Sequence, residues 1–385
     1  MHFLHVVGAR PNFMKVEPVF RALRRSGRVR QTLVHTGQHY GAQMSDVFFR
    51  QLGLPEPDIN LFVGSDTGAR QTARIMMELE PVLTERAPDL VLVYGDVNST
   101  VAAAMVCASL QIRIAQIEAG LRSFDRTMPE EINRLITDQL ADLLFTPSLD
   151  GNANLAREGI SATKVHFVGN VMIDTLIRML PAAMQVTLNV PSRYALVTLH
   201  RPANVDDVAW LEQMLTALTD ISRDLPILFP VHPRTRKRIQ QSRLPSALGG
   251  QLRLLDPLPY VEFLALQLRA AAVVTDSGGI QEETSFLGVP CLTVRENTER
   301  PVTVTHGTNV LVGRDIQQVR SELQHVLSGR LKTSSIPPLW DGKAAQRIAA
   351  VLLEVTDSQC LPTASLPNPQ HAIDTESVHA IQSGR

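Results

Sequence analysis

The stretch TDSGGIQEETSFLGVP, residues 275–290, contains a turn with two glycines between an apolar run and a segment of helical periodicity. The run RAAAVV just before it ends in β-branched apolar residues, as a buried strand does. After the turn, apolar residues recur at helical spacing from Ile280, and this pattern stops at Gly288 with Pro290 beyond. A strand, a turn with two glycines and a helix therefore follow one another, which is the repeating unit of an α/β sheet.

The same alternation of strand and helix runs along most of the chain. Its apolar segments lack period-two alternation, as strands covered on both faces do. In the first half they are FLHVVGA, TLVHTG, DLVLVYGD, RIAQIEAG, LLFTPS and VHFVGN, and in the second half YALVTLH, PILFPVH, LRLLDP, VVTDSGG, CLTVR and NVLVG. Amphipathic segments such as MKVEPVFRALRRSG lie between them. The pattern predicts an α/β protein with two doubly wound, Rossmann-like domains facing a cleft.

The length of 385 residues is more than one ordinary core needs. We expect an N-terminal domain of residues 1–175 and a second domain of residues 176–356 that closes with the helix AAQRIAAVLLEV. Residues 357–385 turn polar and lose any sustained apolar period, which predicts a disordered tail.

Composition excludes several classes of function. A net charge of −1 gives no electrostatic reason to bind nucleic acid or an anionic membrane surface. The three cysteines are scattered and odd in number, which is typical of a reducing compartment. No apolar run reaches the roughly 18 residues of a membrane span, and the first fifteen residues lack the basic segment of a signal peptide. We therefore expect a cytoplasmic protein.

Residues able to carry chemistry follow the predicted strands at their carboxyl ends, where open α/β sheets bind ligands. They are Arg10 and Lys15, Gly95 and Asp96, Glu118, His200, and the turn Ser277, Gly278 and Gly279. Several acids and a histidine at one cleft suit proton transfer, because burial and mutual repulsion separate their pKa values. No Cys/His spacing indicates zinc, and no GxGxxG follows the first strand, so neither a metal nor a nicotinamide cofactor is indicated.

The turn at residues 277–279 has two interpretations. Glycines let a phosphate approach the backbone, the N–H groups of a helix start bind anions, and Glu282 or Glu283 lies where it can hydrogen-bond a ribose. A nucleotide diphosphate explains the whole stretch. A plain glycine turn, with acids stabilised by the helix dipole and Ser277 as the cap, explains it equally well.

Glu130 and His200 are also ambiguous from sequence. Thr127 and Glu130 fit a capping box, and Glu130 with Arg134 forms an i, i+4 pair, so Glu130 has a local role available besides catalysis. His200 alone fits a core histidine, but its place at a strand end, followed by Arg201, favours a site.

Taken together, these residues resemble the UDP-N-acetylglucosamine 2-epimerase family. Ten motifs between residues 8 and 313 occur in the family's order: GARPNFMK, TGQH, YGDVNST, IEAGLRS, PEEINR, HRPAN, VHPRT, DSGGIQEE, GVPCLTVRENTERP and GTNVLVG. The resemblance implies a glycosyltransferase-B type fold, a homodimer, and no metal or nicotinamide. The non-hydrolysing bacterial members interconvert UDP-N-acetylglucosamine and UDP-N-acetylmannosamine, and the product enters cell-surface polysaccharide synthesis.

The family's reaction explains why several acids are needed. C2 of the sugar carries an amide nitrogen and no carbonyl, so its hydrogen is not acidic, and the family instead eliminates UDP to give 2-acetamidoglucal and then adds UDP back. By resemblance, the catalytic positions are Asp96, Glu118, Glu130 and His200. The substrate-binding positions implied are Ser277, Gly278, Gly279 and Arg10 for the diphosphate, Glu283 for ribose, Phe263 for uracil, and Lys15, Arg134 and Arg300 to complete the pocket.

One motif departs from the family's pattern. Some members bind a second, activating UDP-N-acetylglucosamine through residues around QHR-Q, whereas here Gln38 and His39 are followed by Tyr40 and Gly41. This departure argues against allosteric activation by substrate.

Four other functions remain compatible with the sequence. They are a glycosyltransferase of the same fold, a hydrolysing 2-epimerase, an epimerase of a related UDP-2-acetamido sugar such as a diacetamido uronic acid, and a non-catalytic UDP-sugar sensor. Fold alone does not separate them.

Overall fold

The computed structural model describes residues 1–37, 51–241 and 249–358, and within these ranges the strands form two parallel sheets. The first sheet contains β1 (His2–Val7), β2 (Arg30–His35), β3 (Ile59–Asn60), β4 (Leu90–Tyr94), β5 (Ile114–Ile117), β6 (Leu143–Thr146) and β7 (Val165–Phe167). The second contains β8 (Ala195–Thr198), β9 (Ile227–Pro230), β10 (Leu252–Leu255), β11 (Ala272–Thr275), β12 (Cys291–Thr293) and β13 (Asn309–Leu311).

Both sheets reverse their strand order once, as doubly wound sheets do. The orders are β3-β2-β1-β4-β5-β6-β7 and β10-β9-β8-β11-β12-β13. The reversals lie between β1 and β4 and between β8 and β11, and a crevice for ligand opens at such points, outside the carboxyl ends of the strands. The predicted α/β architecture is confirmed, and all twelve predicted strands are present. The two-residue β3 was not predicted, because it is too short to give an apolar run.

Helices connect the strands. In the first half they are α1 (Arg10–Ser26), α2 (Gly68–Arg86), α3 (Asn98–Ser109), α4 (Pro129–Leu140), α5 (Leu149–Arg157) and α6 (Val171–Gln185). In the second half they are α7 (Pro202–Val205), α8 (Val208–Ile221), α9 (Pro233–Gln241), α10 (Tyr260–Arg269), α11 (Gly278–Leu287), α12 (Pro301–Thr305), α13 (Ile316–Leu327) and α14 (Ala344–Ser358). None of the helices in the described ranges has the length and apolar character that a membrane crossing requires.

The helix predicted after the glycine turn is α11, and it ends as expected. Gly288 follows it with φ 72°, a left-handed conformation that glycine adopts without steric cost. Gly27 ends α1 in the same way, with φ 66°. The sequence therefore located these two helix ends through their glycines.

Helices α1, α6 and α14 form a layer that links the two halves of the chain. Asp174 on α6 accepts hydrogen bonds from the first backbone N–H groups of α14, those of Ala344 and Ala345, at 3.2 and 2.7 Å. Side chains of α14 such as Ile348 pack in the same apolar core as Phe3 of β1 and Leu264 of α10. The closing helix thus lies on the first sheet's side of the molecule. The domain division at residue 175 falls inside α6 and stays a prediction, and residues 359–385 of the expected tail lie outside the described residues.

Candidate active site

The two strand reversals bring predicted site residues to one region. Lys15 follows β1 on α1, and Asp96 follows β4. His200 follows β8, and Ser277 follows β11. A contact between Glu118 in the first half and Arg300 in the second joins these two sets, with Arg300 Nη2 donating to Glu118 Oε1 at 3.0 Å.

Glu118 is buried and held by two cations. Besides Arg300, its Oε2 accepts a hydrogen bond from Lys15 Nζ, and the residue is only 6% exposed. Its φ of 73° is left-handed, which is uncommon for a residue with a side chain and is typical of functional sites. Gly95 allows this arrangement, because a Cβ there would lie 2.6 Å from Lys15 Nζ.

Asp96 is paired with Arg134, and Arg134 is paired with Glu131. Arg134 Nη1 lies 2.5 Å from Asp96 Oδ2, and its Nη2 lies 2.5 Å from Glu131 Oε2. The expected i, i+4 pair between Glu130 and Arg134 is therefore wrong, since Arg134 pairs with Glu131 at i, i+3.

The capping box expected for Glu130 is also wrong. Helix α4 begins at Pro129, so Met128 is its N-cap residue. The Thr127 hydroxyl instead donates to Asp125. In the described part of the chain the half-buried Glu130 side chain makes neither a hydrogen bond nor an ion pair, although its charge acts on Arg201.

His200 is oriented by Asp276, a residue that the sequence analysis did not single out. His200 Nδ1 lies 2.9 Å from Asp276 Oδ1, and the same carboxylate accepts the backbone N–H groups of His200 and Arg201. Burial acts to raise the pKa of Asp276, but these contacts with His200 outweigh burial and lower it. An ionised Asp276 accepts from Nδ1 and therefore favours a proton on that nitrogen.

The glycine turn differs in detail from the expectation. Ser277 is the N-cap residue of α11, but its hydroxyl makes no cap hydrogen bond. A Cβ at Gly278 would lie 2.4 Å from Arg300 Nη1, so this position has no room for a side chain. At Gly279 the nearest atom would be Met172 Cε at 3.7 Å, which leaves the helix start open there.

Arg300 is the centre of a buried charge cluster. It forms ion pairs with Glu118, with Glu282 (Nε to Oε1, 2.8 Å) and with Glu299. Burial raises the pKa of Glu282 to about 7. Glu299 is also buried, but Arg300 and Arg295 outweigh its desolvation and hold its pKa well below the usual range. Glu299 therefore stays ionised beside these cations, whereas the pKa of Glu282 lies near neutral pH.

The residues expected to hold ribose and uracil lie on α11 and α10. Glu283 accepts a hydrogen bond from the Tyr260 hydroxyl at 2.9 Å, and burial raises its pKa to about 7. Phe263 is half-buried and packs against the same apolar cluster as Ile280, the residue after Gly279.

A second set of residues, missed from sequence, joins the two halves of the chain. The Met128 sulfur lies 3.9 Å from Arg201 Nη1 and 4.0 Å from Arg295 Nη2. Arg295 also donates to Glu299 at 2.7 Å. Asp276 was open to prediction, because it directly follows β11, but the partners of Met128 are distant in sequence and no local pattern indicates them.

Two expectations fall outside what the structure describes. Helix α1 begins at Arg10, but the structure does not describe the side chain of this residue. The departure at Gln38–Gly41 lies outside the described residues.

Comparison with known proteins places the chain in a family. The sequence model of the UDP-N-acetylglucosamine 2-epimerase family matches residues 21–353. A UDP-N-acetylglucosamine 2-epimerase of Methanocaldococcus jannaschii is 39% identical over 359 residues, covering 90% of this chain and 97% of that protein. A UDP-2,3-diacetamido-2,3-dideoxy-D-glucuronate 2-epimerase of Pseudomonas aeruginosa is 40% identical over 365 residues, covering 92% of this chain and 100% of that protein.

Solved structures agree with this assignment. The crystal structure of M. jannaschii UDP-GlcNAc 2-epimerase in complex with UDP-GlcNAc and UDP has a TM-score of 0.85 at 39% identity, covering 92% of this chain and 100% of that one. A lipopolysaccharide outer core galactosyltransferase, with a TM-score of 0.56 at 14% identity, shares the fold alone.

Proposed function

The chain belongs to the UDP-N-acetylglucosamine 2-epimerase family, and we propose that it interconverts UDP-N-acetylglucosamine and UDP-N-acetylmannosamine without net hydrolysis. One observation carries the proposal. The Arg300 guanidinium packs against Gly278 in the predicted diphosphate turn and donates to Glu118 in the other half of the chain. It links the site expected for the leaving group to the acids expected to move the proton.

The proposed reaction begins by breaking two bonds. A base removes the C2 proton, the electron pair forms a C1–C2 double bond, and UDP leaves from C1 with the glycosidic oxygen. The products are UDP and 2-acetamidoglucal. UDP then adds back to C1 while an acid protonates C2 on the opposite face, which inverts C2 and consumes no co-reactant.

Charge stabilisation for the departing UDP comes from the second half of the chain. The backbone N–H groups at the start of α11, with the uncapped hydroxyl of Ser277 and the open face at Gly279, suit a diphosphate. The guanidinium of Arg300 adds donors beside it, and we assign the imidazole of His200 and the side chain of Arg10 to the same group. Glu283 is assigned to ribose and Phe263 to uracil.

Proton transfer and stabilisation of the anomeric centre are assigned to Asp96, Glu118 and Glu130, with Lys15 and Arg134 holding two of these acids. A carboxylate paired with two cations, as in Glu118, is well suited to a fixed negative charge near an oxocarbenium-like centre. A carboxylate with no ion pair among the described residues, as in Glu130, is better suited to take or return a proton, because its protonation breaks none of the described ion pairs.

The test follows the C2 hydrogen. UDP-N-acetylglucosamine incubated with the enzyme in D₂O is expected to give UDP-N-acetylmannosamine with deuterium at C2, read by proton NMR. A glycosyltransferase or a sensor does not label C2. Free N-acetylmannosamine in place of the UDP-sugar would identify a hydrolysing enzyme. A product with only protium at C2, and no 2-acetamidoglucal in a stopped reaction, would contradict the elimination route.

A second substrate is favoured by one comparison. The P. aeruginosa relative named for a diacetamido glucuronate is as similar to this chain as the M. jannaschii epimerase. The same NMR assay with UDP-2,3-diacetamido-2,3-dideoxy-D-glucuronate is therefore run in parallel, and the ratio of kcat/KM values decides which sugar is the substrate.

Assembly and location are part of the proposal. We expect a homodimer, as the family resemblance implies, and a mass near twice 42.4 kDa in light scattering would support it. The described cysteines Cys107 and Cys291 are free and buried. Free thiols suit the reducing cytoplasm, where we place the protein.

A further inference from the structure

We propose that Glu131, next to the assigned acid Glu130, is a positioning residue that fixes Asp96 through Arg134; this inference rests on the proposed function. Glu131 is only 2% exposed, and its carboxylate lies in a network of hydrogen bonds. Its Oε2 accepts from Arg134 Nη2 at 2.5 Å and from Arg134 Nε at 3.1 Å. Arg134 then reaches Asp96 at 2.5 Å.

Glu131 also holds the loop that follows Glu118. Its Oε2 accepts the Ser123 backbone N–H and hydroxyl, both at 2.9 Å, and its Oε1 accepts the Phe124 N–H at 2.9 Å. Phe124 has a left-handed φ of 58°, a strained conformation for an aromatic residue. One buried carboxylate thus ties the loop after Glu118 to the cation that holds Asp96.

Helix α4 supplies a second tie to the same turn. The Asn133 amide donates to the Asp96 carbonyl oxygen at 2.9 Å and to Asn98 Oδ1 at 3.2 Å. Glu130 lies on the same helix. The position of α4 along its axis therefore sets where Glu130 lies relative to Asp96. The hydrogen bonds of Glu131 hold α4 in that position.

The charges around Glu131 and Arg134 fit this role. Burial acts to raise the pKa of Glu131, but hydrogen bonds from Ser123 and Arg134 outweigh it, so the pKa is lowered and the carboxylate stays ionised. Arg134 faces Asp96, Glu299 and Glu131, which raise its pKa against desolvation. Asp96 faces Arg134 and, at longer range, Arg300. Because Nε, Nη1 and Nη2 of Arg134 already donate to protein acceptors, we assign Arg134 to holding Asp96 rather than to a first contact with substrate.

The test compares Glu131→Gln with Arg134→Met. Glu131→Gln keeps the shape but removes the charge and turns an amide N–H towards Arg134. We expect kcat to fall roughly 10- to 100-fold, the scale of a misplaced catalytic group, with KM and the UDP Kd within about threefold of wild type. The acidic limb of the kcat–pH profile is expected to move to lower pH in Glu131→Gln, because Arg134 then acts on Asp96 uncompensated. It is expected to move to higher pH in Arg134→Met.

Glu158→Gln is the matched control. Glu158 accepts hydrogen bonds from Arg122, in the same loop as Ser123, at 2.8 and 2.6 Å, but among the described residues it contacts neither Arg134 nor Asp96 directly. This variant is expected to melt lower than wild type and to keep the wild-type pH profile. If Glu131→Gln behaves like Glu158→Gln, the positioning role is wrong.

Two further outcomes keep the proposal distinct from the proposed function. If Glu131→Gln does not fold, Arg134→Met alone decides, and an unmoved acidic limb overturns the inference. If the wild type epimerises no UDP-sugar, the proposed function fails, and the crystal structure of Glu131→Gln becomes the readout. Arg134 is then expected more than 1 Å from its wild-type position at Asp96, and an unchanged pair would overturn the inference.

Discussion

Neighbouring glycines at the start of α11 allow one substitution to be tested in two environments. Gly278→Ala places a Cβ 2.4 Å from Arg300 Nη1 and 2.7 Å from Glu299 Oε1. Gly279→Ala places it 3.7 Å from Met172 Cε, an ordinary contact. Both glycines lie in the first turn of the same helix, so their backbone entropy terms are alike.

The expected difference in stability follows from these contacts. Replacing glycine by alanine in a compatible conformation stabilises by about 0.4–1 kcal/mol, and this term is common to both variants. Overpacking costs about 1–3 kcal/mol. At Gly278 it is not relieved by a small shift, because Arg300 is held by Glu118 and Glu282. We therefore expect Gly278→Ala to be about 1–3 kcal/mol less stable than Gly279→Ala.

Gly279 is the position where substitution is expected to cost less stability, but there a larger side chain is expected to weaken the binding of UDP. Gly279→Val fills the open face of the helix start, where the proposal puts the diphosphate. Each hydrogen bond lost to a charged group costs about 1.5–3 kcal/mol, which corresponds to a Kd for UDP raised about 10- to 150-fold. Met172 Cε is the terminal atom of a flexible side chain, so the fold is expected to survive.

The assays are urea unfolding of the two alanine variants and calorimetric titration of Gly279→Val with UDP. Equal unfolding free energies for Gly278→Ala and Gly279→Ala would show that Arg300 is not fixed as described. An unchanged UDP Kd in Gly279→Val would show that the diphosphate does not bind at this helix start.

Two further predictions concern buried or unpartnered acids. Glu130→Gln is expected to lower kcat roughly 10²-fold or more while leaving Tm unchanged, because Glu130 makes neither a cap nor an ion pair with the residues that the structure describes; normal turnover with a lower Tm would return it to a structural role. Burial raises the pKa of Glu283 from 4.5 to about 7, so the folded state holds this proton more tightly than the unfolded chain. Its contribution to stability is complete below pH 4.5 and is lost as pH rises through 7, so Glu283→Gln is expected to gain stability relative to wild type between pH 5 and pH 8. A constant difference in Tm over that range would contradict this assignment.

The sequence predicted most of the fold because its signals are local. Buried parallel strands need continuous β-branched runs, and left-handed helix ends need glycine, so Gly27 and Gly288 marked the ends of α1 and α11. Parallel order then places every strand's carboxyl end on one edge. Asp96 and His200 were expected at that edge for this reason.

The capping box predicted for Thr127 and Glu130 is wrong for a local reason as well. A capping box with Thr127 requires the helix to begin directly after that residue, but Pro129 is favoured at the first helical position and moves the start by one residue. Glu131 then occupies the third helical position, where its side chain reaches back to the backbone of the preceding loop. The glutamate that holds the local structure is therefore Glu131, and Glu130 has no hydrogen-bond or ion-pair partner within the described ranges.

Contacts between distant segments were beyond prediction from sequence. Glu118 and Arg300 are separated by 182 positions, and no periodicity or spacing links them. Their pairing nevertheless helps to distinguish the acids that form ion pairs, Asp96 and Glu118, from Glu130, and composition alone does not show this difference. Lys15 and Arg300 balance Glu118, and Arg134 balances Asp96, so protonating either acid would break an ion pair. Among the described residues, Glu130 has no ion pair to break. In the proposed reaction, Glu130 is therefore the acid whose protonation state changes at least energetic cost, and one of the two paired acids handles the proton on the opposite face of C2.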